Sequence, residues 1–314
     1  MAEHMPVLLA EVVAALEPAR CRVIVDATFG RGGHTRALLD AMPADGRLIA
    51  LDRDEEAARA AERVGDARFV FIRTAFSRMA EAFAALDPTL AGRIDGLLLD
   101  IGVSSPQLDQ ADRGFSFLRD GPLDMRMDRS QGPTAAEWLA GADESQIRRV
   151  LSEFGEERFA ARIAKAIARE RERQPIERTL QLAAIVEACV PARWTGQHPA
   201  TRTFQAVRIH VNRELEELEM TLAQIPDLLA PGGRVAIVTF HSLEDRIVKH
   251  WMRQESGVRS VDPALRHLPL AADPGRLQAR LRRLGRDVVA TASECAANPR
   301  ARSARLRVAE RLPC

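Results

Sequence analysis

Four clusters of polar residues in this chain each follow a short apolar run, the order expected where a strand delivers side chains to a ligand. The first is Asp26-Ala-Thr-Phe-Gly30-Arg-Gly32-Gly33-His34. Its glycines let main-chain N–H groups approach a ligand at a helix N-terminus, which suits a nucleotide-type group. A tight strand-to-helix turn, with glycines serving geometry alone, is the other reading. A dinucleotide fingerprint needs glycine at position 35 and this chain has Thr35, so that match is incomplete. The second cluster ends in Leu51-Asp52, with Asp52 at the spacing of about 20 residues from the glycines at which an acid reaches ribose hydroxyls. A helix-capping aspartate is its alternative. Phe76, after the third run, stands where an adenine face would lie, or it is a core residue.

The third cluster, Asp100-Ile-Gly-Val-Ser-Ser-Pro106-Gln107, is the candidate reaction centre, because Asp100 can accept a hydrogen bond from an amino group. The fourth, Thr239-Phe240-His241-Ser242-Leu243-Glu244-Asp245, brings a histidine and two acids to the same predicted edge. Without further clustered ligands it does not read as a metal site, and no metal is expected.

The runs that carry these clusters are Val23 to Asp26, Leu48 to Asp52, Phe69 to Arg73 and Gly96 to Asp100, alternating with helix-like segments. Each is nearly continuously apolar, as in strands covered on both faces, so the pattern predicts a parallel, doubly wound α/β sheet with ligands at the strand C-termini. The next comparable strand, Arg234 to Phe240, follows the turn Pro231-Gly232-Gly233. Residues 102–233 therefore lie where a plain crossover unit needs only about 30.

That surplus reads as inserted helices. Thr134-Ala-Ala-Glu137 is a capping box, Phe159, Ile163 and Ile167 form a stripe stopped by Pro175, and another helix follows from about Leu180 to Val190. Val207, Val211, Leu215, Leu218 and Leu222 predict one long amphipathic helix from Ala206 to about Leu229. Residues 253–275 carry Pro263, Pro269 and Pro274 without periodicity and read as a mobile loop. In the tail, Thr291-Ala-Ser-Glu294 caps a short helix and Arg305 to Ala309 alternates like a strand.

With 314 residues, 46% hydrophobic and 28% charged, the chain is long enough for a sizeable core and too ordinary in composition for a disordered or fibrous protein. Its net charge of +1 excludes a uniformly basic coat. The four cysteines form no CxxC pair, and no apolar run is long enough to span a membrane, so a cytoplasmic protein without structural zinc or disulfides is expected. Between Arg276 and Arg311, ten arginines face only three acids, marking a candidate phosphate-facing patch with a plain solvated surface as its alternative.

Taken together, His4-Met-Pro-Val-Leu-Leu9, Phe29-Gly-Arg-Gly-Gly-His34, Asp100 to Gln107, Arg113-Gly-Phe-Ser-Phe117, Asp124-Met-Arg-Met-Asp128, Thr239 to Arg246 and Asn298-Pro-Arg-Ala-Arg-Ser-Ala304 closely resemble the ribosomal RNA small-subunit methyltransferase H family, also called MraW. The resemblance spans nearly the whole chain. It implies a class I, Rossmann-like, S-adenosyl-L-methionine-dependent methyltransferase fold carrying an inserted helical domain. It also implies methyl transfer to the N4 amino group of a P-site cytidine in bacterial 16S rRNA, within the small ribosomal subunit.

By the same resemblance, donor contacts fall on Gly32, Gly33, His34, Asp52, Phe76, Asp100 and Gln107. The amino-methyltransferase tetrapeptide, an Asn, Asp or Ser followed by two prolines and an aromatic, is absent, and Ser105-Pro106-Gln107 stands in this loop instead. Catalysis is therefore assigned to Asp100 first, then Ser105 and His241. Neither polar loop holds the cysteine that methylation at cytosine C5 normally uses, which favours direct transfer to nitrogen over C5 and leaves oxygen open, so that the resemblance alone selects N4. Arg300, Arg302 and Arg305 are the expected RNA contacts. The expected domains are 1–109 and 206–314 for the methyltransferase core and 110–205 for a helical substrate-recognition insertion. An NAD-dependent oxidoreductase and a non-catalytic nucleotide- or RNA-binding module are the alternatives.

Overall fold

In a computed structural model, described for residues 6–191, 197–257 and 279–313, the apolar runs form one eight-stranded sheet. The strands are β1 (Val23–Asp26), β2 (Arg47–Asp52), β3 (Phe69–Arg73), β4 (Ile94–Asp100), β5 (Leu229–Thr239), β6 (Leu281–Arg283), β7 (Val288–Val289) and β8 (Arg305–Arg311). Their order is β3-β2-β1-β4-β5-β8-β6, with β7 also paired to β8. β1 to β5 are mutually parallel, and β8 runs antiparallel to β5, β6 and β7. The doubly wound expectation holds, and the strand order reverses between β1 and β4, the position at which such sheets open a ligand crevice.

The near-continuous apolar runs have a direct cause. Successive strand residues face opposite sides, and both sides are covered. Val25, Ile49, Leu97, Leu99, Val235 and Ile237 join one core cluster, whereas Ile24, Leu48, Ala50, Leu98, Ala236 and Val238 join the other. The first cluster is closed by α4 (Met79–Leu86), α11 (Glu214–Leu228) and α12 (Ser242–Glu255); the second by α1 (Leu9–Leu16), α2 (Gly33–Ala41) and α3 (Glu55–Ala61).

Contacts divide the chain into two compact units, 1–102 with 217–314 and 103–216, where the sequence had placed the joins at 109/110 and 205/206. The second unit is built from α5 (Ser105–Asp109), α6 (Ala135–Gly141), α7 (Glu144–Gly155), α8 (Ala160–Arg171), α9 (Thr179–Cys189) and α10 (Ala200–Asn212). Its core gathers Leu139, Ile147, Leu151, Ile163, Leu182, Val186 and Val207. Thr134 and Glu137 form the expected capping box, and Ile163 and Ile167 face this core. Asn212 staples the Asp124–Asp128 segment: its amide accepts Met127 N–H at 2.8 Å and donates to Met125 C=O at 2.7 Å, holding Met125 at φ +61°.

Several sequence expectations are corrected. The helix expected from Ala206 to Leu229 is two helices, α10 and α11, because Arg213 adopts φ +52° and ends the first. The expected Pro231-Gly232-Gly233 turn lies within β5 as a bulge, since Leu229 pairs with Ile94 and Arg234 with Gly96. The loop expected over 253–275 begins inside α12, which runs to Glu255, while 258–275 lie outside the described residues. In the tail, Thr291 caps α13 (Ala292–Ala297) as expected. Among the described residues, no helix is long and apolar enough to cross a membrane.

Candidate active site

Three aspartates end three adjacent parallel strands of the first unit: Asp52 on β2, Asp26 on β1 and Asp100 on β4. Each terminates an apolar run, so each is carried to the C-terminal edge at the switch point. Their surroundings then separate their chemistry.

Asp52 is half-buried, and its carboxylate organises the glycine turn. Oδ2 accepts Gly30 N–H at 2.8 Å and Oδ1 accepts Asp54 N–H at 2.9 Å. Burial raises its pKa against these two bonds. A carboxylate offers about four acceptor positions, so two remain for hydroxyl donors. At Gly30, with φ +55°, a side chain would meet only the Thr28 main-chain oxygen, at 4.0 Å. Gly32 and Gly33 leave no such room, because a Cβ would lie 2.8 Å from the Phe29 ring and 2.3 Å from Pro6, respectively. Those two glycines are thus required by packing, whatever their main chain contacts.

Asp26 is buried, and burial pushes its carboxyl up to about 6 despite bonds from Thr35 and Thr28. Thr35 Oγ1 donates to Asp26 Oδ2 at 2.7 Å, so the residue that breaks the dinucleotide fingerprint has a defined partner. Thr28 closes the turn, its N–H reaching Asp26 and its Oγ1 accepting Asp100 N–H at 2.7 Å.

Asp100 is the most perturbed of the three. Burial raises its carboxyl to about 8, with the charges of Asp26 and Glu244 adding to the effect. Its Oδ2 lies 3.6 Å from His34 Nδ1, and its buried Oδ1 has no hydrogen-bond partner among the described residues. His34 is held neutral, its pKa lowered to about 4 by burial. Its Nε2 lies 3.2 Å from Val7 C=O, which fixes that nitrogen as the protonated one and leaves Nδ1 as a lone pair facing Asp100. Oδ2 is therefore the natural seat of the Asp100 proton, and Oδ1 is an acceptor in either protonation state.

The remaining predicted residues fall into three groups. Phe76 opens a single 3-10 turn, Phe76–Arg78, and packs half-buried against the sheet core. His241 is the N-cap of α12: its Nδ1 takes Glu244 N–H at 3.4 Å, and fully buried Glu244 accepts Phe240 N–H at 2.8 Å. Ser105 and Gln107 belong to the second unit. Gln107 is buried with Oε1 accepting Ser104 N–H at 2.9 Å, and the Ser105 side chain lies outside the described residues.

Among the tail arginines, Arg302 is exposed, Arg300 is half-exposed and Arg305 is paired with Asp287. Arg280, Arg282 and Arg307 are likewise paired, with Glu255, Glu310 and Asp245, so part of the excess positive charge of the tail meets acids elsewhere in the fold. Arg276 lies outside the described residues.

Asp26, Thr28 and Glu244 were not among the predicted site residues. Asp26 carries the same signal as Asp52 and Asp100, an acid closing an apolar strand; Glu244 occupies the N3 position of a cap.

A family model described as the MraW methylase family matches residues 1–312. The chain is 51% identical over 314 residues to the ribosomal RNA small subunit methyltransferase H of Nitrosospira multiformis, covering 99% of this chain and 98% of that one. It is 53% identical over 311 residues to the protein of the same name from Thioalkalivibrio sulfidiphilus, covering 98% and 97%.

Proposed function

The chain belongs to the MraW methylase family, and from that premise we propose that it methylates the exocyclic N4 amino group of a P-site cytidine in the 16S rRNA of the small ribosomal subunit. The methyl donor is S-adenosylmethionine, which supplies an electrophilic methyl group on a positively charged sulfur. The residues at the sheet edge fit this donor. Asp52 has acceptor positions left for two ribose hydroxyls, the main chain at Gly30 is open to a ligand, and the unpartnered oxygen of Asp100 is available to an amino group. His34 and Phe76 border that set as proposed contacts.

The single observation that carries the reading is Asp100 Oδ1, a buried acceptor with no protein donor among the described residues. The lone pair of an N4 amino group is delocalised into the cytosine ring. Accepting a hydrogen bond from N4–H draws electron density back onto nitrogen and orients it for in-line attack. Positive charge at the reacting centre favours ionised Asp100, the form able to take the N4 proton as the new C–N bond forms. Such proton handling is worth roughly 10²- to 10⁴-fold, whereas aligning the two reactants supplies about 7–11 kcal/mol, so positioning is the larger contribution. His34 acts through Asp100, holding Oδ2 and leaving Oδ1 free. His241 serves the fold of α12 as its cap.

The second unit is assigned to RNA recognition, with Arg300 and Arg302 as further phosphate contacts. A decoding-centre base must be unstacked before it can react. The NAD-dependent alternative loses support because Thr35 is bonded to Asp26 where a third glycine would be needed.

The test uses isotopically labelled donor and small subunits lacking the modification, followed by digestion to nucleosides. N4-methylcytidine is the expected product; label on C5 or on a ribose oxygen refutes the proposal.

A further inference from the structure

The second unit contains a pocket of about 270 Å³ lined by Glu157, Phe159, Val190, His198, Pro199 and Arg202. Small-ligand pockets begin at about 300 Å³, so this one suits a single planar heterocycle. Two of its lining side chains are rings held in place. Phe159 carries the Arg162 guanidinium 5.1 Å from its centroid, and His198 stacks on Phe117 at 4.6 Å. The imidazole is oriented at both nitrogens: Nδ1 accepts Ala200 N–H at 3.2 Å, and Nε2 faces the Glu187 carboxylate at 3.2 Å. Fixed rings bordering a pocket are the surfaces on which unstacked bases settle.

The polar pair in the same pocket sets the choice of base. Glu157 is only 9% exposed, and its Oε1 accepts Phe159 N–H at 2.9 Å. Arg202 donates to the main-chain oxygen of Glu156, and among the described residues no carboxylate neutralises it. A carboxylate and a guanidinium lining one pocket suit a ligand with two adjacent N–H donors and a separate acceptor. Guanine offers N1–H and N2–H to the carboxylate, and O6 with N7 to the guanidinium. Adenine and cytosine place an acceptor next to their amino group, where the carboxylate repels it, and uracil offers one N–H.

We propose that this pocket holds one unstacked guanine of the RNA, an inference that rests on the RNA-substrate reading above. The test measures binding of GMP, IMP, AMP and CMP to the full-length protein by equilibrium dialysis, alongside methyl transfer to unmodified small subunits. GMP is expected to bind at least about fivefold tighter than IMP, which lacks the 2-amino group, and than the other two. Glu157→Gln should abolish that preference and raise KM for the subunit several-fold with kcat held. Arg202→Lys, which keeps the charge and loses the fork, should do the same, and donor binding should be unchanged in both. Equal binding of all four nucleotides, or a guanine preference intact in both variants, overturns the proposal. GMP binding that the small subunit does not displace assigns the pocket to a free nucleotide and also overturns it. If the wild-type protein transfers no label to the subunit, the RNA-substrate reading fails, and the dialysis result separates that failure from a failure of the pocket.

Discussion

Replacing Asp100 by Asn should make the first unit more stable while impairing the reaction. The carboxyl stands at about 8 in the fold, against an ordinary value of 3.8, so the folded chain holds a proton that the unfolded chain releases across that interval. Stability therefore falls as pH rises from about 4 to about 8, by about 1.4 kcal/mol per pH unit at the steepest. At pH 7 the full effect would be about 4 kcal/mol. Asp100 retains 24% side-chain exposure and shares its proton affinity with Asp26, which roughly halves this to about 2 kcal/mol. For a unit of this size, 2 kcal/mol is about 4–8 °C in Tm. Thermal melts of the donor-free protein between pH 4.5 and 8 should show wild type and Asp100→Asn melting together at the acid end and diverging upward in pH, with the variant higher. Turnover of the variant on unmodified subunits should fall at least tenfold, with donor affinity followed by calorimetry. A Tm difference that does not vary with pH, or one of opposite sign, would refute the placement of an unpaired, charge-averse carboxyl at this edge.

Thr35→Val preserves shape but leaves Asp26 Oδ2 without its donor, and chemical denaturation should record a loss of about 1–3 kcal/mol, with no gain of NAD binding by dialysis. Asn212→Ala strips partners from buried Met127 N–H and Met125 C=O and should destabilise the second unit by about 2–4 kcal/mol in urea, leaving donor binding by the first unit intact. Arg300→Ala combined with Arg302→Ala should weaken subunit binding and reduce its dependence on salt concentration; an unchanged salt slope in a filter-binding series would remove these arginines from the phosphate contacts.

The strands were legible because burial on both faces leaves almost no polar residue to interrupt them, and the acids closing β2 and β4 were legible because they break that pattern abruptly. The surplus length before β5 announced an insertion. The break between α10 and α11 left no trace: it falls at Arg213, a residue with no turn signature, and the apolar stripe from Val207 to Leu222 runs straight across it. What the sequence did not disclose at His241 is its local role: on a helix the third residue after the cap, here Glu244, turns back to bond the cap itself. The unpartnered state of Asp100 Oδ1 was invisible in the sequence, since it depends on what the neighbouring strands do not supply.

The parallel pairing of β4 with β5 joins Ile94 to Leu229 across the whole second unit. Closing a loop of that length rather than one of about 30 residues adds only about 1.3 kcal/mol of chain entropy, so equilibrium tolerates the interruption. Kinetics does not ignore it. During synthesis β1 to β4 emerge together and can zip while the intervening helices are still being made, leaving the far edge of β4 unsatisfied until β5 and then β8 arrive. Assembly of this enzyme should thus proceed from one side of its sheet to the other, with the late-arriving half completing the wall that bears Asp100.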